Sequence, residues 1–390
     1  MLIYNAKIIT MDEAGTIENG WLLTENGKIS ALGAGSPEDI PEDAFNAQGG
    51  TLLPGFIDAH THLGIIEDGL GFEGDDCNET NDPFMPQLRA IDGVNPFDRC
   101  FDEARNRGIT AAAVSPGSAN PCGGEICVLK TAGRCADRML ISTCGVKFAL
   151  GENPKHEYND RGELPRTRMG TAAVIREGLH KARRYAHDMD RYYSDNDDCE
   201  PPEYDIKCEA LMKLLDRKQK AFFHCHRADD ICTALRIAKE FSVDAVIIHG
   251  TEGSRIADIL AEEEVPVICG PLLCDRCKPE LRELELENAC GLIRAGVKTA
   301  ICTDHTVTPI QYLPLSAKAA VKGGLSTGEA LRALTAAPAE ILGIDDITGS
   351  LAAGKDADLQ IYRKGEDPLD LMTEPALVMI SGEVCRKELI

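Results

Sequence analysis

Eight short apolar runs recur through the middle of the chain, and they limit the folds open to it. They are FIDAHTH (56–62), TAAAVSPGS (110–118), EICVLKTAG (125–133), VKFALGENP (146–154), AFFHCHR (221–227), AVIIHGTEG (245–253), VPVICGP (265–271) and TAICTDH (299–305). Each closes in polar or glycine residues, and helix-like stretches such as PFDRCFDEARNRG, ADDICTALRIAKEF, SRIADILAEEE and PELRELELENACGLIRAG lie between them. Strands that are apolar throughout, rather than alternating, belong to a parallel sheet covered on both faces. Eight such units in succession fit an α/β fold, the (β/α)8 barrel. A doubly wound open sheet is the competing topology.

The two ends of the chain read differently. LIYNAKIITM, GWLLTENGKISALG and the run into GGTLLPG are strand-sized pieces, with an Asn-Gly turn at 26–27. Residues 349–368 and 376–390 again alternate strand patterns with Gly and Asp turns. Chain termini often lie close together, so the two ends are expected to pair into one small β-sandwich domain. The expected division is residues 1–53 and 346–390 in the sandwich and 54–345 in the barrel. The stretch from 155 to 218 is long for one connection and is read as a helix, GTAAVIREGLHKARRYAHDM, followed by an acidic loop, SDNDDCEPPEYD.

Composition excludes some functions. With 64 acidic against 41 basic residues the net charge is −23, which argues against nucleic acid as a partner. No run approaches the length of a membrane span, and the N-terminus lacks the features of a signal peptide. A cytoplasmic location is expected. Sixteen cysteines are many, but Cys127, Cys144, Cys269 and Cys302 sit in apolar runs and read as reduced core thiols. Cys274 and Cys277 have the spacing of half a zinc knuckle without a second pair to face them.

The histidines carry the functional signal. Six of nine stand at apolar-run ends: His60, His62, His224, His226, His249 and His305. Lys147 and Glu152 lie on or just after the fourth run, and Asp304 ends the eighth. Residues i and i+2 of a strand point the same way, so His60 projects with His62. In a barrel, reactive side chains gather at the strand C-termini. Imidazoles and a carboxylate converging there describe a divalent cation, zinc first among the candidates, with iron, manganese and nickel also open. Such a cation lowers the pKa of a bound water and polarises a carbonyl, and Asp304 is placed to move the water's proton.

These motifs, PGFIDAHTH followed by HCHRAD, IIHG and CTDH, resemble the amidohydrolase superfamily. The tail, ALRALTAAPAEILGIDDITGSLAAGKDADLQIY, resembles that superfamily's return from the last barrel helix to the sandwich. The similarity is greatest to the imidazolonepropionase-like and prolidase-like branch, whose members hydrolyse cyclic amides, dipeptides or N-acylated amino acids. The resemblance implies that His60 and His62 bind a first metal, that His224 and His249 bind a second or help hold the only one, and that Asp304 is ligand and general base. It favours His224 over His226 as ligand and turns His226 to the substrate. It places Lys147 where two-metal members carry a carboxylated lysine, with Glu152 the alternative bridge.

Arg227 and Arg168 are candidates to hold a substrate carboxylate, and for Arg227 an ion pair with Asp229 or Asp230 is the plain alternative. Asn120 and Gly123-Gly124 read as turn chemistry, Asp58 as a group that orients a ligand, and the acidic segment 71–83 as surface or lid. The expected activity is metal-dependent hydrolysis of a C–N bond in a small-molecule substrate, with one or two metals per subunit. A deaminase and a non-catalytic scaffold of the same fold are the alternatives. The missing glutamate after HCH weighs against deamination, and the complete set of strand-end ligands against a scaffold. The architecture admits a homo-oligomer.

Overall fold

A computed structural model describes residues 1–194 and 200–388. Both ends of the chain form one sheet: β1 (Leu2–Ile9), β2 (Thr16–Glu25), β3 (Lys28–Ala34), β4 (Phe45–Asn46) and β5 (Thr51–Pro54) from the start of the chain. The middle supplies β6 (Phe56–Thr61), β7 (Ile109–Val114), β8 (Cys122–Lys130), β9 (Leu140–Ala149), β10 (Lys220–Cys225), β11 (Ala245–His249), β12 (Val267–Cys269) and β13 (Thr299–Ile301). The tail returns with β14 (Leu359–Tyr362), β15 (Leu377–Ile380) and β16 (Glu383–Lys387).

The terminal sheet runs β16-β15-β14-β5-β1-β2-β3, with β4 on β1. β14 pairs with β5 antiparallel, so the tail is stitched directly to the start of the chain. This is the small β-sandwich unit, formed as one continuous hydrogen-bonded sheet around its own apolar cluster, which includes Ile3, Ile8, Leu22, Ile29, Leu52, Leu359 and Met379. The β2–β3 hairpin turns through Asn26 (φ +52°) and Gly27 (φ +82°), the left-handed pair that a two-residue hairpin loop requires.

The eight apolar runs all become strands of the second sheet, in the order β6 to β13. Hydrogen bonds from Asp304 N to His60 O (3.1 Å) and from His62 N to His305 O (2.7 Å) join its two edges and close the barrel. Two apolar clusters separate its faces. Phe222, Val246, Ile248, Ile268, Ala300 and Cys302 fill the inside. Phe223, Ile247, Val267 and Ile301 face the helices outside, among them Arg168–Ser194 and Ala228–Phe241. Backbone packing at the barrel's entry is close: a Cβ at Gly55 would lie 2.1 Å from Thr110 Oγ1.

One strand departs from the all-parallel expectation. β8 runs antiparallel to both β7 and β9. Only residues 115–121 join β7 to β8, and a parallel crossover needs a dozen or more. The reversal puts the start of β8, rather than its end, beside the neighbouring strand C-termini. The long β9-to-β10 excursion holds the expected helix, as Arg168–Ser194. Part of the acidic loop, 195–199, lies outside the described residues. The stretch 279–296 is a single 3-10 turn, Pro279–Leu281, and a separate helix, Asn288–Arg294, instead of one helix. No helix among the described residues is long and apolar enough to cross a membrane.

Candidate active site

The cavity at the C-terminal end of the barrel strands is lined by His60, His62, Lys147, His224, His226, His249 and Asp304, all seven on or just after β6, β9, β10, β11 and β13. Loop residues including Cys77, Asn78, Cys274, Cys277 and Lys278 form its wall, around a volume of about 510 Å³.

Two groups of donors face the cavity. In each, the ligand atoms lie within 4.8 Å of one another: His60, His62 and Asp304 form one, and His224, His226 and His249 the other. Two atoms each about 2.1 Å from one tetrahedral cation are about 3.4 Å apart. Asp304 Oδ1 stands 3.3 Å from His60 Nε2 and 3.4 Å from His62 Nε2, which fits a shared cation. The opposite ring nitrogens are already engaged. Nδ1 of His62 meets Ser115 O, Nδ1 of His249 meets Gly270 O, and Nδ1 of His226 meets Thr251 Oγ1, each at 2.7 Å. That pattern fixes the rings with Nε2 turned inward, as for metal-bound imidazoles.

Backbone geometry shows how the chain aims these groups. Phe222 faces inward, so alternation carries His224 and His226 inward too. His249 has the opposite parity, because Ile247 faces out. Its left-handed backbone (φ +73°) rotates the ring back into the site, where it lies 4.5 Å from the His224 ring and 4.4 Å from that of His226. Asp304 is also left-handed (φ +53°). Non-glycine residues in this region are uncommon and cluster at functional sites.

Lys147 lines the same cavity beside the first group, fully buried. Its Nζ is 3.5 Å from His60 Nε2, 3.3 Å from Ser115 Oγ and 3.1 Å from Pro116 O. Burial pushes its ammonium down to about 8, so the neutral amine is accessible near neutrality. Burial would raise Asp304, but the imidazoles of His249, His60 and His62 outweigh it and hold the carboxyl well below its ordinary range. Behind the ligands, buried Asp58 accepts from Thr303 N and from the Thr303 hydroxyl, tying β6 to the segment that carries Asp304.

The remaining candidates fall elsewhere. Arg227 binds Asp229 through two parallel hydrogen bonds of 2.9 and 2.8 Å. Arg168 Nε pairs with Asp230 at 3.0 Å. Neither lines the cavity. Glu152 is not a lining residue either; it starts the helix Glu152–Arg161, with Glu152 N donating to Glu280 Oε2 at 3.0 Å. His226 joins His224 and His249 rather than standing apart from them. Asn120 donates to the carbonyls of Glu79 and Asp82, pinning the acidic segment, whose Cys77 and Asn78 reach the cavity. Cys274 and Cys277 line the mouth, and no cysteine-containing metal group occurs among the described residues.

Among the residues that sequence reasoning passed over are Lys278, which lines the cavity, and its partner Glu280. Lys278 and buried Glu280 come from the loop after β12, with Lys278 Nζ 2.7 Å from Glu280 Oε1. The only available signal was their place after the seventh strand, in a chain rich in acidic residues.

The amidohydrolase family profile matches residues 205–385. An amidohydrolase from Thermotoga maritima MSB8, of known structure, is 38% identical, with 99% of this chain and 100% of that one covered and a TM-score of 0.94. Amidohydrolase tasK of Hapsidospora irregularis is 28% identical over 96% of this chain, which spans 41% of that relative's length. An imidazolonepropionase of Cupriavidus taiwanensis is 27% identical over 90% of this chain and 86% of its own.

Proposed function

The chain belongs to the amidohydrolase family, in its imidazolonepropionase-like and prolidase-like branch, and from that premise we propose which residues cleave which kind of bond. It is a hydrolase of carbon–nitrogen bonds. The substrate is read as a small amide, a cyclic amide or a dipeptide-like molecule, admitted through the mouth formed by the 71–83 and 272–281 segments.

The observation that carries this reading is the pair of donor groups in one cavity, with a buried lysine beside the first of them. His60, His62 and Asp304 would hold one divalent cation, and the group of His224, His226 and His249 a second. Zinc is the first choice, because neutral imidazole with a carboxylate suits it. A cation bound there supplies a polarised carbonyl and a water that ionises near neutrality. Lys147, as the neutral amine, would add carbon dioxide and lose a proton to form a carbamate, an anion that could serve as a further ligand. Asp304 stays ionised beside the imidazoles, and it is the group placed to accept a proton from water and hand it to the leaving nitrogen. The apolar barrel below the site excludes bulk water from this transfer. A cytoplasmic location is consistent with the free cysteines of the described residues.

Metal analysis of the purified protein, with hydrolysis of a panel of cyclic amides, dipeptides and N-acyl amino acids, tests the reading. Two cations per chain and amide turnover are expected, with Lys147→Ala falling to one cation or fewer. Unchanged stoichiometry in Lys147→Ala would remove that ligand. Ammonia release from a heterocycle, with no amide cleaved, would make the protein a deaminase instead.

A further inference from the structure

A carboxylate beside a group of imidazoles strengthens its hold on a divalent cation by charge. Asp304 supplies it for His60 and His62. In the second group, three neutral imidazoles, His224, His226 and His249, stand together with no carboxylate from any strand end.

Glu280 fills that gap. Its side chain is 1% exposed, and Oε1 lies 3.6 Å from His226 Nε2 and 3.8 Å from His224 Nε2. These separations are close to the edge expected of two ligands on one cation, about 3.4 Å. Oε1 accepts no hydrogen bond. The Lys278 ammonium near it, 2.7 Å away, forms an ion pair outside hydrogen-bond geometry and is also held by Asn153 Oδ1 at 3.1 Å. Oε2, by contrast, is fixed by the backbone N–H of Glu152 at 3.0 Å. One oxygen therefore anchors the carboxylate to the helix Glu152–Arg161, and the other stands between the Lys278 ammonium and the imidazoles of His224 and His226. Lys278 keeps a quarter of its side chain exposed and approaches from the cavity mouth.

We propose that Glu280 is a ligand of the second cation, on the side of His224 and His226. Glu280 would add a carboxylate to the imidazole donors before any bridge from Lys147, and a mixed imidazole and carboxylate site suits manganese, iron or cobalt as well as zinc. The inference rests on the reading of the cavity as a metal centre.

Cobalt(II) titration of the apoprotein, followed by its visible absorption, tests it. The wild type is expected to bind two equivalents. Glu280→Gln is expected to keep one at wild-type affinity and to bind the other at least tenfold more weakly, with altered visible bands. Lys278→Met is expected to retain both. Wild-type affinities and spectrum in Glu280→Gln would overturn the proposal. Equal weakening in Glu280→Gln and Lys278→Met would also overturn it, because Glu280 would then act through the ion pair alone. Should Glu280→Gln fail to fold, Glu280→Asp keeps the charge and withdraws the oxygen by one methylene. Wild-type cobalt binding in that variant would be equally fatal. A wild type that binds no cobalt at all would instead remove the metal centre itself.

Discussion

At the residue scale, function rests on side chains whose direction the backbone sets against its own preference. His249 and Asp304 both adopt left-handed backbone, and both are needed to face the cavity. Asp304 is the carboxylate common to His60 and His62. Asp304→Asn keeps the shape and removes the charge. It is expected to lower turnover 10²- to 10⁴-fold, the usual weight of a lost acid–base group, with the far-ultraviolet circular dichroism unchanged. Turnover within threefold of wild type would exclude Asp304 as the proton acceptor. The histidines were legible in the sequence because they punctuate the ends of apolar runs. Glu280 was not, since one carboxylate in an acidic loop looks like solvated surface until the loop is folded. Arg168 and Arg227 were attractive by position alone. Arg227 meets an opposite charge two residues away in sequence, and Arg168 one on the neighbouring helix.

At the element scale, the closure between β6 and β13 holds the site together. Asp58 on β6 accepts from both the amide and the hydroxyl of Thr303. Truncating it would leave those donors buried without partners. Asp58→Ala is expected to cost about 2–3 kcal/mol in urea unfolding and to weaken the cation at His60 and His62 tenfold or more, since Asp304 is the next residue. Loss of stability with unchanged metal affinity would make Asp58 a purely structural tie. The strand count and order followed from periodicity, because each strand is apolar along its length. The direction of β8 did not, because an antiparallel strand buried on both faces has the same apolar pattern as a parallel one. The evidence for it lay in the shortness of the 115–121 connection, which leaves no room for a helix.

At the scale of the whole molecule, the barrel and the terminal sheet are bolted by a buried ion pair. Lys130, at the end of β8, meets Asp358 and, at 3.0 Å, Asp356, just ahead of β14. Asp358 has no exposed side-chain surface. Lys130→Met would strand that charge and is expected to cost about 3–5 kcal/mol at pH 7. Burial would raise the Asp356 carboxyl, but Lys130 and Lys28 outweigh it and lower it below 3.8. A lowered carboxylate contributes stability above its unfolded pKa and loses it as pH falls through the folded value. The difference between wild type and Lys130→Met should therefore shrink as pH drops below about 4. A difference that is constant from pH 7 to pH 3 would show that the lysine acts through packing alone. The pairing of the two chain ends was legible from their shared strand-and-turn pattern. Their union into one continuous sheet depends on β5 meeting β14 across the length of the chain, which no local pattern encodes.

The central claim is that two cations lie side by side at the open end of the barrel, and anomalous X-ray scattering from crystals of the metal-loaded protein tests it most directly. Two peaks are predicted, one among His60, His62 and Asp304 and the other among His224, His226 and His249. Peaks elsewhere, or no ordered metal in crystals of protein that still hydrolyses its amide, would contradict the account.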